Sequence, residues 1–227
     1  MIKIDKNKKG VAMFDRAQWF LASMSIALSV QLNQPVAAAV PLGKVVQTAQ
    51  TNSSDAAETA LKEGVQLYQQ GMAQAQRSAI LKFEQALKLY REAGDRRGEA
   101  TTLTWIGLVY AELGKNQKAL EYYNQTLPLW RALGDHHREA STLYTTAYFN
   151  RDQNNLTEAL NDIESAIKIL ENLRPTAPSP EVCSSYLATM QENYEVYIDL
   201  LMQLHQANPN SGYDVKALEA RKRAINP

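Results

Sequence analysis

The sequence repeats itself at a spacing of 40 residues through the middle of the chain, and this repeat constrains the fold more than any other feature. Ala79, Ala119 and Ala159 fall in one register. Further columns in that register are Phe83, Tyr123 and Ile163; Ala86, Thr126 and Ala166; Tyr90, Trp130 and Leu170; and Gly94-Asp95 with Gly134-Asp135. Five columns in one register are hard to obtain by chance. A period of this length is typical of proteins in which one supersecondary unit stacks on the next.

Each repeat predicts two helices joined by a tight turn. In the middle repeat the apolar residues follow the spacing i, i+3, i+4 and i+7 of a helix face. Gly114 and Gly134 stand where a left-handed residue can end each helix, and Asp135 can cap the helix that follows. Gly107 and Ala119 are small enough to let the two helices approach closely. The first face consists of Leu103, Ile106, Gly107 and Tyr110, and the second of Ala119, Tyr123, Thr126, Leu127 and Trp130.

The same patterns divide the rest of an all-α chain. Apolar residues make up 45 % of the sequence, and helix formers such as Ala, Leu, Glu, Gln and Lys dominate after residue 57. We expect helical repeats over residues 57–174, with a longer loop between Gly71 and Ala79 in the first of them. A degenerate last repeat or capping helix is predicted over residues 175–208. Residues 209–227 are predicted to begin a truncated connector helix.

The first 39 residues have the organisation of a secretory signal peptide. Five Lys or Arg residues precede or border an uncharged apolar run from Trp19 to Val30, and small residues follow at 37–39. We predict cleavage near Ala39 and an exported protein, periplasmic or extracellular. The run is shorter than the about 20 residues that span a bilayer, but length alone leaves an N-terminal membrane anchor as the alternative. Residues 40–56 are rich in Thr, Ser, Gln and Ala without periodicity and predict a flexible linker.

The charge balance argues against nucleic-acid binding. The whole chain has 24 basic and 24 acidic residues, of which five basic and two acidic ones precede Val40. The remaining chain therefore has 19 basic and 22 acidic residues, a net charge of −3. Nucleic-acid binding requires a basic face, which this composition does not indicate. We predict no membrane contact beyond the signal peptide.

The two-helix unit resembles the tetratricopeptide repeat (TPR). That family places a large residue, a Leu-Gly pair, a Tyr, an Ala, an aromatic residue and a further Ala along two antiparallel helices. The resemblance implies a right-handed α-solenoid of about three helical pairs followed by a long end helix. Because the usual unit has about 34 residues, a 40-residue period implies a lengthened second helix. The matching residues are Leu103, Ile106-Gly107, Tyr110, Ala119, Tyr123, Thr126 and Leu127, then Leu143, Thr146-Ala147, Asn150, Ala159, Ile163 and Ala166.

A closer resemblance is to the repeats that precede the CHAT domain in bacterial, especially cyanobacterial, proteins. The junction from Gly94 to Ala100 carries this resemblance, together with residues 197–205 and 212–218, which are similar to the helical connector after those repeats. In that family a caspase-like CHAT domain with a His/Cys pair follows, and nothing in this sequence matches that part. The resemblance implies a scaffold arm without its effector: a truncated product, a split gene or a free-standing adaptor.

The first helix of each unit is expected to line a concave surface, where solenoids bind their partners. The lining is aromatic and otherwise uncharged or mildly acidic, so we predict an extended or helical peptide with apolar anchors as the ligand. The alternative is that Trp105 and Tyr148 pack inside neighbouring units. The predicted partner-binding residues are Thr101, Thr104, Trp105, Leu108 and Glu112, then Ser141, Tyr144, Thr145, Tyr148 and Asp152.

No sequence pattern indicates catalysis, a cofactor or a metal. Adjacent His136 and His137 point in different directions, and the single cysteine, Cys183, has no matched base. A phosphate loop and a dinucleotide fingerprint are absent from the sequence. We therefore predict a non-catalytic scaffold or adaptor for a protein or peptide partner. The alternatives are the regulatory arm of a CHAT-type protease, encoded separately or lost by truncation, and a structural oligomer formed by self-association of end surfaces.

Overall fold

The computed structural model describes residues 41–173 and 180–225. The predicted signal peptide, residues 1–39, lies outside these ranges. The structure divides between Thr48 and Ala49, and the description below concerns the second unit, residues 49–227. Within the described ranges the structure contains eight α-helices and no strand, which confirms the all-α prediction. The helices are α1 (Pro41–Gln69), α2 (Ala73–Ala93), α3 (Arg96–Glu112), α4 (Asn116–Leu133), α5 (His136–Asp152), α6 (Leu156–Asn172), α7 (Pro180–Ala207) and α8 (Tyr213–Ile225).

Glycine and aspartate set the boundaries between consecutive helical pairs. Gly94 and Gly134 adopt left-handed φ angles of 71° and 65° at the ends of α2 and α4. Asp95 begins α3, and its carboxylate accepts hydrogen bonds from two backbone N–H groups, at 3.0 and 2.9 Å. Asp135 begins α5 in the same way, accepting from the Arg138 N–H at 3.3 Å. The predicted helix end at Gly134 and cap at Asp135 are confirmed, and each satisfies backbone groups that a bare helix end leaves unpaired.

The turns within the pairs are all three residues long. Gly71 and Gly114 have φ angles of 70° in the first two of these turns, and Asn154 takes the left-handed position, with φ 64°, in the third. The longer loop predicted between Gly71 and Ala79 is wrong, because the three additional residues extend the start of α2 to 21 residues, against 18 in α4. The chain there contains Ala and Gln and no helix breaker, so an added turn of helix costs less than a longer loop.

The extra length of the 40-residue unit is shared between its helices. α3 has 17 residues and α4 has 18. A unit of about 34 residues with the same short connections would leave about 29 for both helices together. The expectation that only the second helix is lengthened is therefore wrong.

The segment predicted to be a linker is helical in the structure. α1 begins at Pro41 and includes residues 41–56. Apart from Gly43 this segment has no helix breaker after its first proline, and Ala, Gln and Val continue without interruption into the periodic part of the helix. Absence of an apolar period weakened the helix prediction, but propensity allows the helix to continue once the following residues pack.

Each helix packs against the next one in chain order, and a column of small residues lies at the centre of each pair. Ala79, Ala119 and Ala159 are completely buried. Gly64 of α1 approaches Phe83 of α2 so closely that an added Cβ would lie 2.5 Å from the ring. The predicted contact between Gly107 and Ala119's helix is also present, since a Cβ on Gly107 would lie 3.0 Å from the Tyr123 ring. The result is an α-solenoid with an apolar interior between successive helices.

The third pair exchanges an aromatic contact for a polar one. In the second pair the rings of Tyr110 and Tyr122 stack with centroids 5.5 Å apart. Forty residues later, Asn150 donates a hydrogen bond from Nδ2 to Asp162 Oδ2 at 3.1 Å. Burial raises the pKa of the Asp162 carboxyl, although hydrogen bonds from Thr146 and Asn150 act in the opposite direction.

The last two helices form a fourth pair instead of a single capping helix. The long helix predicted from about Glu181 to Gln206 is present as α7, and a 3₁₀ turn at Pro209–Ser211 leads to α8. Ala217 and Ala220 of α8 are buried in the same apolar cluster as Leu200 and Leu201 of α7. The predicted start of a connector helix thus packs as the second member of a pair. In the described parts of the chain, no helix is both long enough and apolar enough to cross a membrane.

Candidate partner-binding surface

The predicted partner-binding residues lie along α3 and α5, at positions three, four or seven apart. Their exposure differs widely. Glu112, Ser141 and Asp152 are exposed, whereas Thr104 and Trp105 are buried. The others are half-buried, with part of each side chain in reach of solvent: Thr101, Leu108, Tyr144, Thr145 and Tyr148. A continuous surface therefore exists, but its accessible apolar part is mainly on α5.

Trp105 follows the alternative in which it packs inside the molecule. Only 3 % of its surface is exposed. Its ring stacks on Phe83 with centroids 5.9 Å apart and meets Tyr68 edge to face at 5.4 Å. The indole thus joins α3 to the first helical pair. A role as a direct anchor for a partner does not fit this burial, and we assign Trp105 to the core.

Glu112 is held by two side chains of the preceding pair. Tyr68 donates a hydrogen bond from its hydroxyl to Glu112 Oε1, and Gln76 donates from Nε2 to Oε2 at 2.9 Å. Burial, followed by the hydrogen bond to Glu112, raises the pKa of Tyr68, so the phenol stays neutral. Sequence reasoning missed Tyr68 and Gln76, because the pairing joins residues 44 and 36 positions apart and depends on how the helices stack.

Tyr148 is positioned by an arginine that the sequence did not single out. The guanidinium of Arg151 lies over the Tyr148 ring, 4.8 Å from its centroid. Arg151 also donates to Asp199 of α7 at 3.2 Å and lies 3.7 Å from Asp152. The spacing of three between Tyr148 and Arg151 is a helix-face signal that could have been noticed, but the partner on α7 could not. Tyr148 is therefore a rigid, half-exposed aromatic group beside an ion pair.

The hydroxyl groups along this surface are largely used by the helices themselves. Thr104 and Thr145 each donate a hydrogen bond to the backbone carbonyl four residues earlier, at 2.9 Å in both cases. Thr101 accepts a hydrogen bond from Arg138 Nη1 at 3.3 Å. The surface is therefore more apolar than its composition indicates, since these hydroxyls have partners within the protein.

The two histidines of the pair junction belong to a surface network and not to a metal site. Glu139 binds Arg131 at 2.6 Å and faces His136 Nδ1 at 3.4 Å. The preceding junction has the same arrangement with Glu99, Arg91 and Arg96. Among the residues that the structure describes, no three His, Cys, Asp or Glu side chains lie together in a way that could hold a metal ion.

This architecture defines a class: an α-solenoid built from TPR-like helical pairs. The tetratricopeptide repeat family model matches residues 78–132 and 98–172, so TPR repeats are recognised across α3 to α6 and most of α2. The columns at 40-residue spacing fall within this region. No curated protein matches the chain.

Solved structures of repeat proteins have the same fold. BtubC (BKLC) from P. vanneervenii is similar with a TM-score of 0.51 and 19 % identity, over 66 % of this chain and 58 % of that one. A putative kinesin light chain with TPR-like repeats from Podosopora anserina has a TM-score of 0.45 and 14 % identity, over 78 % and 90 % of the two chains. A de novo designed helical repeat protein has a TM-score of 0.38 and 14 % identity, over 78 % and 95 %. This chain spans little more than half the length of BtubC, and the likeness concerns the fold alone.

TPR scaffolds generally mediate protein–protein interactions and are generally non-catalytic. The solenoid described above has the corresponding architecture, with an extended surface along α3 and α5. The coarse functional class is therefore a protein-binding repeat domain.

Proposed function

We propose that this protein is a non-catalytic scaffold that holds a peptide or protein partner against α5 and the adjoining part of α3. The observation that carries the proposal is the half-exposed Tyr148, fixed in place by Arg151. Aromatic side chains with few rotatable bonds provide contact area at low entropic cost, and such residues dominate binding at protein interfaces. Leu108 and Tyr144 extend the apolar area on either side.

The proposed ligand is an extended or helical segment with apolar anchors. The ten predicted residues include two carboxylates and no Lys or Arg, and Glu112 already has two partners. An aromatic anchor placed against Tyr148 would gain burial without separating Arg151 from Asp199. We expect basic groups beside the anchors to be tolerated better than acidic ones, because Asp152 and Asp199 border this region.

The proposal is tested by selecting binders from a displayed random-peptide library with the purified full chain. Selected peptides should contain aromatic or large aliphatic anchors, and Tyr148→Ala should weaken their binding at least tenfold. Leu81→Ala serves as the matched control, since Leu81 is an exposed apolar residue of α2 away from this surface. Thermal melts establish that both variants fold. Peptides that bind Tyr148→Ala as tightly as the parent would contradict the assignment.

We further propose that the protein acts outside the cytoplasm, on the strength of the basic, apolar and small-residue pattern in residues 1–39. Mass analysis of the protein recovered from cells should find a mature N-terminus at or near Val40. A retained Met1 would favour the membrane-anchored alternative.

The second candidate, the regulatory arm of a CHAT-type protease, is supported by the junction at 94–100 and by the helices over 197–205 and 212–218. The DNA that follows the Pro227 codon, read in all frames, tests it. A CHAT-coding frame there would favour this candidate, and unrelated sequence would favour the free-standing adaptor.

A further inference from the structure

The outward side of α8 has an exposed leucine at a position that is buried in every earlier pair. In the first three pairs the residue after the core alanine of the second helix is apolar, and Ile80, Leu120 and Leu160 are 8, 7 and 9 % exposed. In α8 the corresponding alanine is Ala217, which is itself buried, but Leu218 after it is 57 % exposed. Because the register within the helix is the same, all four side chains point in the same direction from their pair.

The earlier residues are buried by the first helix of the next pair. Leu160 of α6 belongs to one apolar cluster with Met190 and Leu200 of α7. α7 is the helix that follows α6 and packs directly against it. Leu218 therefore occupies a position that forms the contact between consecutive pairs elsewhere in this molecule, so this side of α8 continues an interface of known geometry.

The surroundings of Leu218 are apolar at the centre and basic at the edge. Val215, three residues before it, is also 57 % exposed. Arg221 and Lys222 are exposed on the following turn. Lys222 stands five residues after the core alanine, where α6 has Glu164, which accepts a hydrogen bond from Tyr197 of α7 at 3.0 Å. At the equivalent contact on α8 a cation replaces that acceptor.

This charge selects the kind of helix that fits. α7, which covers the equivalent side of α6, contains four carboxylates and no Lys or Arg over Pro180–Ala207. A helix of similar composition would place its apolar stripe on Leu218 and its carboxylates near Arg221 and Lys222. Opposite charges at the rim of an apolar contact favour the correct partner and speed its association.

We propose that the side of α8 formed by Val215, Leu218, Arg221 and Lys222 docks an acidic amphipathic helix of a partner protein. The docked helix would take the position that α7 holds against α6. This site lies on the last helix and does not include α3 or α5, so it adds a second interaction surface to the function proposed above.

The test uses a labelled synthetic peptide with the sequence of residues 184–206, acetylated and amidated, titrated into the purified full chain and followed by fluorescence anisotropy. This peptide carries the acidic helix that covers the equivalent contact in the molecule itself. We expect saturable binding that Leu218→Glu weakens at least tenfold. Lys222→Glu should weaken it severalfold, and added salt should lower the affinity for the parent more than for Lys222→Glu.

Leu81→Glu is the matched control, because Leu81 is an equally exposed leucine that stands outside the contact column. It should leave the peptide affinity unchanged. Failure of the parent to bind, or equal loss in the two leucine variants, would overturn the proposal. A parent dimer in sedimentation that Leu218→Glu dissociates would also overturn it, by making a second copy of the chain the occupant. Tyr148→Ala should leave this binding intact, which separates the outcome from that of the peptide surface on α5.

Discussion

At the scale of single residues, the closest helix contact in the molecule depends on the absence of one methyl group. A Cβ on Gly64 would lie 2.5 Å from Phe83 Cε1, and the Phe83 ring is completely buried. The ring cannot move outward, so the helices of the first pair would have to separate. Glycine in a helix costs stability on its own account, and the tight contact with Phe83 offsets that cost.

We expect Gly64→Ala to lower the free energy of unfolding by about 1–3 kcal/mol, the usual range for overpacking. Gly107→Ala is the matched comparison, because its Cβ would lie 3.0 Å from the Tyr123 ring and requires a smaller shift. Urea unfolding of the two variants measures the difference. A Gly64→Ala protein as stable as Gly107→Ala would show that the first pair is looser than the structure indicates.

Asp162 gives a pH dependence with a definite sign. Burial raises its folded-state pKa above 3.8, even though Thr146 and Asn150 donate hydrogen bonds to it. The folded state therefore binds more protons than the unfolded state just above pH 3.8, and stability falls as the pH rises through the folded pKa. Asp162→Asn removes this titration while it keeps an acceptor for Asn150.

We expect the stability of Asp162→Asn relative to the parent to increase as the pH is raised from about 3.8, the ordinary Asp value, to neutrality. Urea midpoints of both proteins across that interval provide the measurement. A constant difference across the interval would mean that Asp162 does not titrate in it. Asn150 matters here because the third pair lacks the stacked tyrosines of the second, and its central contact rests on this hydrogen bond.

At the scale of helices, the junction between pairs combines a cap with a partly buried carboxylate. Glu99 is buried, yet Arg91 and Arg96 bind it at 2.8 and 2.9 Å. Burial alone would raise its pKa, but the hydrogen bonds and charges of the two arginines outweigh that effect and lower it. The junction thus fixes the first turn of α3 to the last turn of α2.

Glu99→Gln should therefore destabilise the protein at neutral pH, by roughly 1 kcal/mol, since both arginines are largely exposed to solvent. A carboxyl with a lowered folded pKa contributes stability above its unfolded value of 4.5, and this contribution disappears as the pH falls through the folded pKa. Melting curves at several pH values should show the parent and Glu99→Gln converging in acid. Glu139→Gln tests the same device at the next junction, where Arg131 and His136 take the places of the arginines.

Sequence reasoning succeeded for features that depend on neighbours along the chain. The turns at Gly114 and Gly134, the cap at Asp135 and the small residue at Gly107 each leave a local or periodic mark. The burial of Trp105 left none, because Tyr68 and Phe83 lie in other helices. The same holds for Arg151 and Asp199, whose contact joins residues 48 positions apart.

At the scale of the whole molecule, stability is expected to vary along the stack. In a solenoid each unit gains most of its stability from its neighbours, and a terminal element has fewer of them. α4 is covered by α3 and α5, whereas α8 is covered by α7 and leaves Leu218 in solvent. The molecule should therefore open locally from α8 before its central helices.

Native-state hydrogen exchange followed by mass spectrometry measures this directly. Peptides from α8 should exchange at free energies well below those from α4. The acidic helix peptide used above should slow exchange in α8 and leave α4 unchanged. Uniform exchange along residues 53–224 would show that the stack unfolds as one cooperative unit.

The two junctions described at Gly94-Asp95 and Gly134-Asp135 have a consequence for how such a chain changes length over time. Their backbone turns are nearly congruent, with φ angles of 71° and 65° at the glycines, and each is followed by the same aspartate cap and the same Glu-Ala pair. The segment from 95 to 134 is therefore a cassette with matching ends. Unequal recombination between the two junctions would delete or duplicate one whole helical pair without a frameshift or a broken helix, and the position of every later pair would move by one step along the stack.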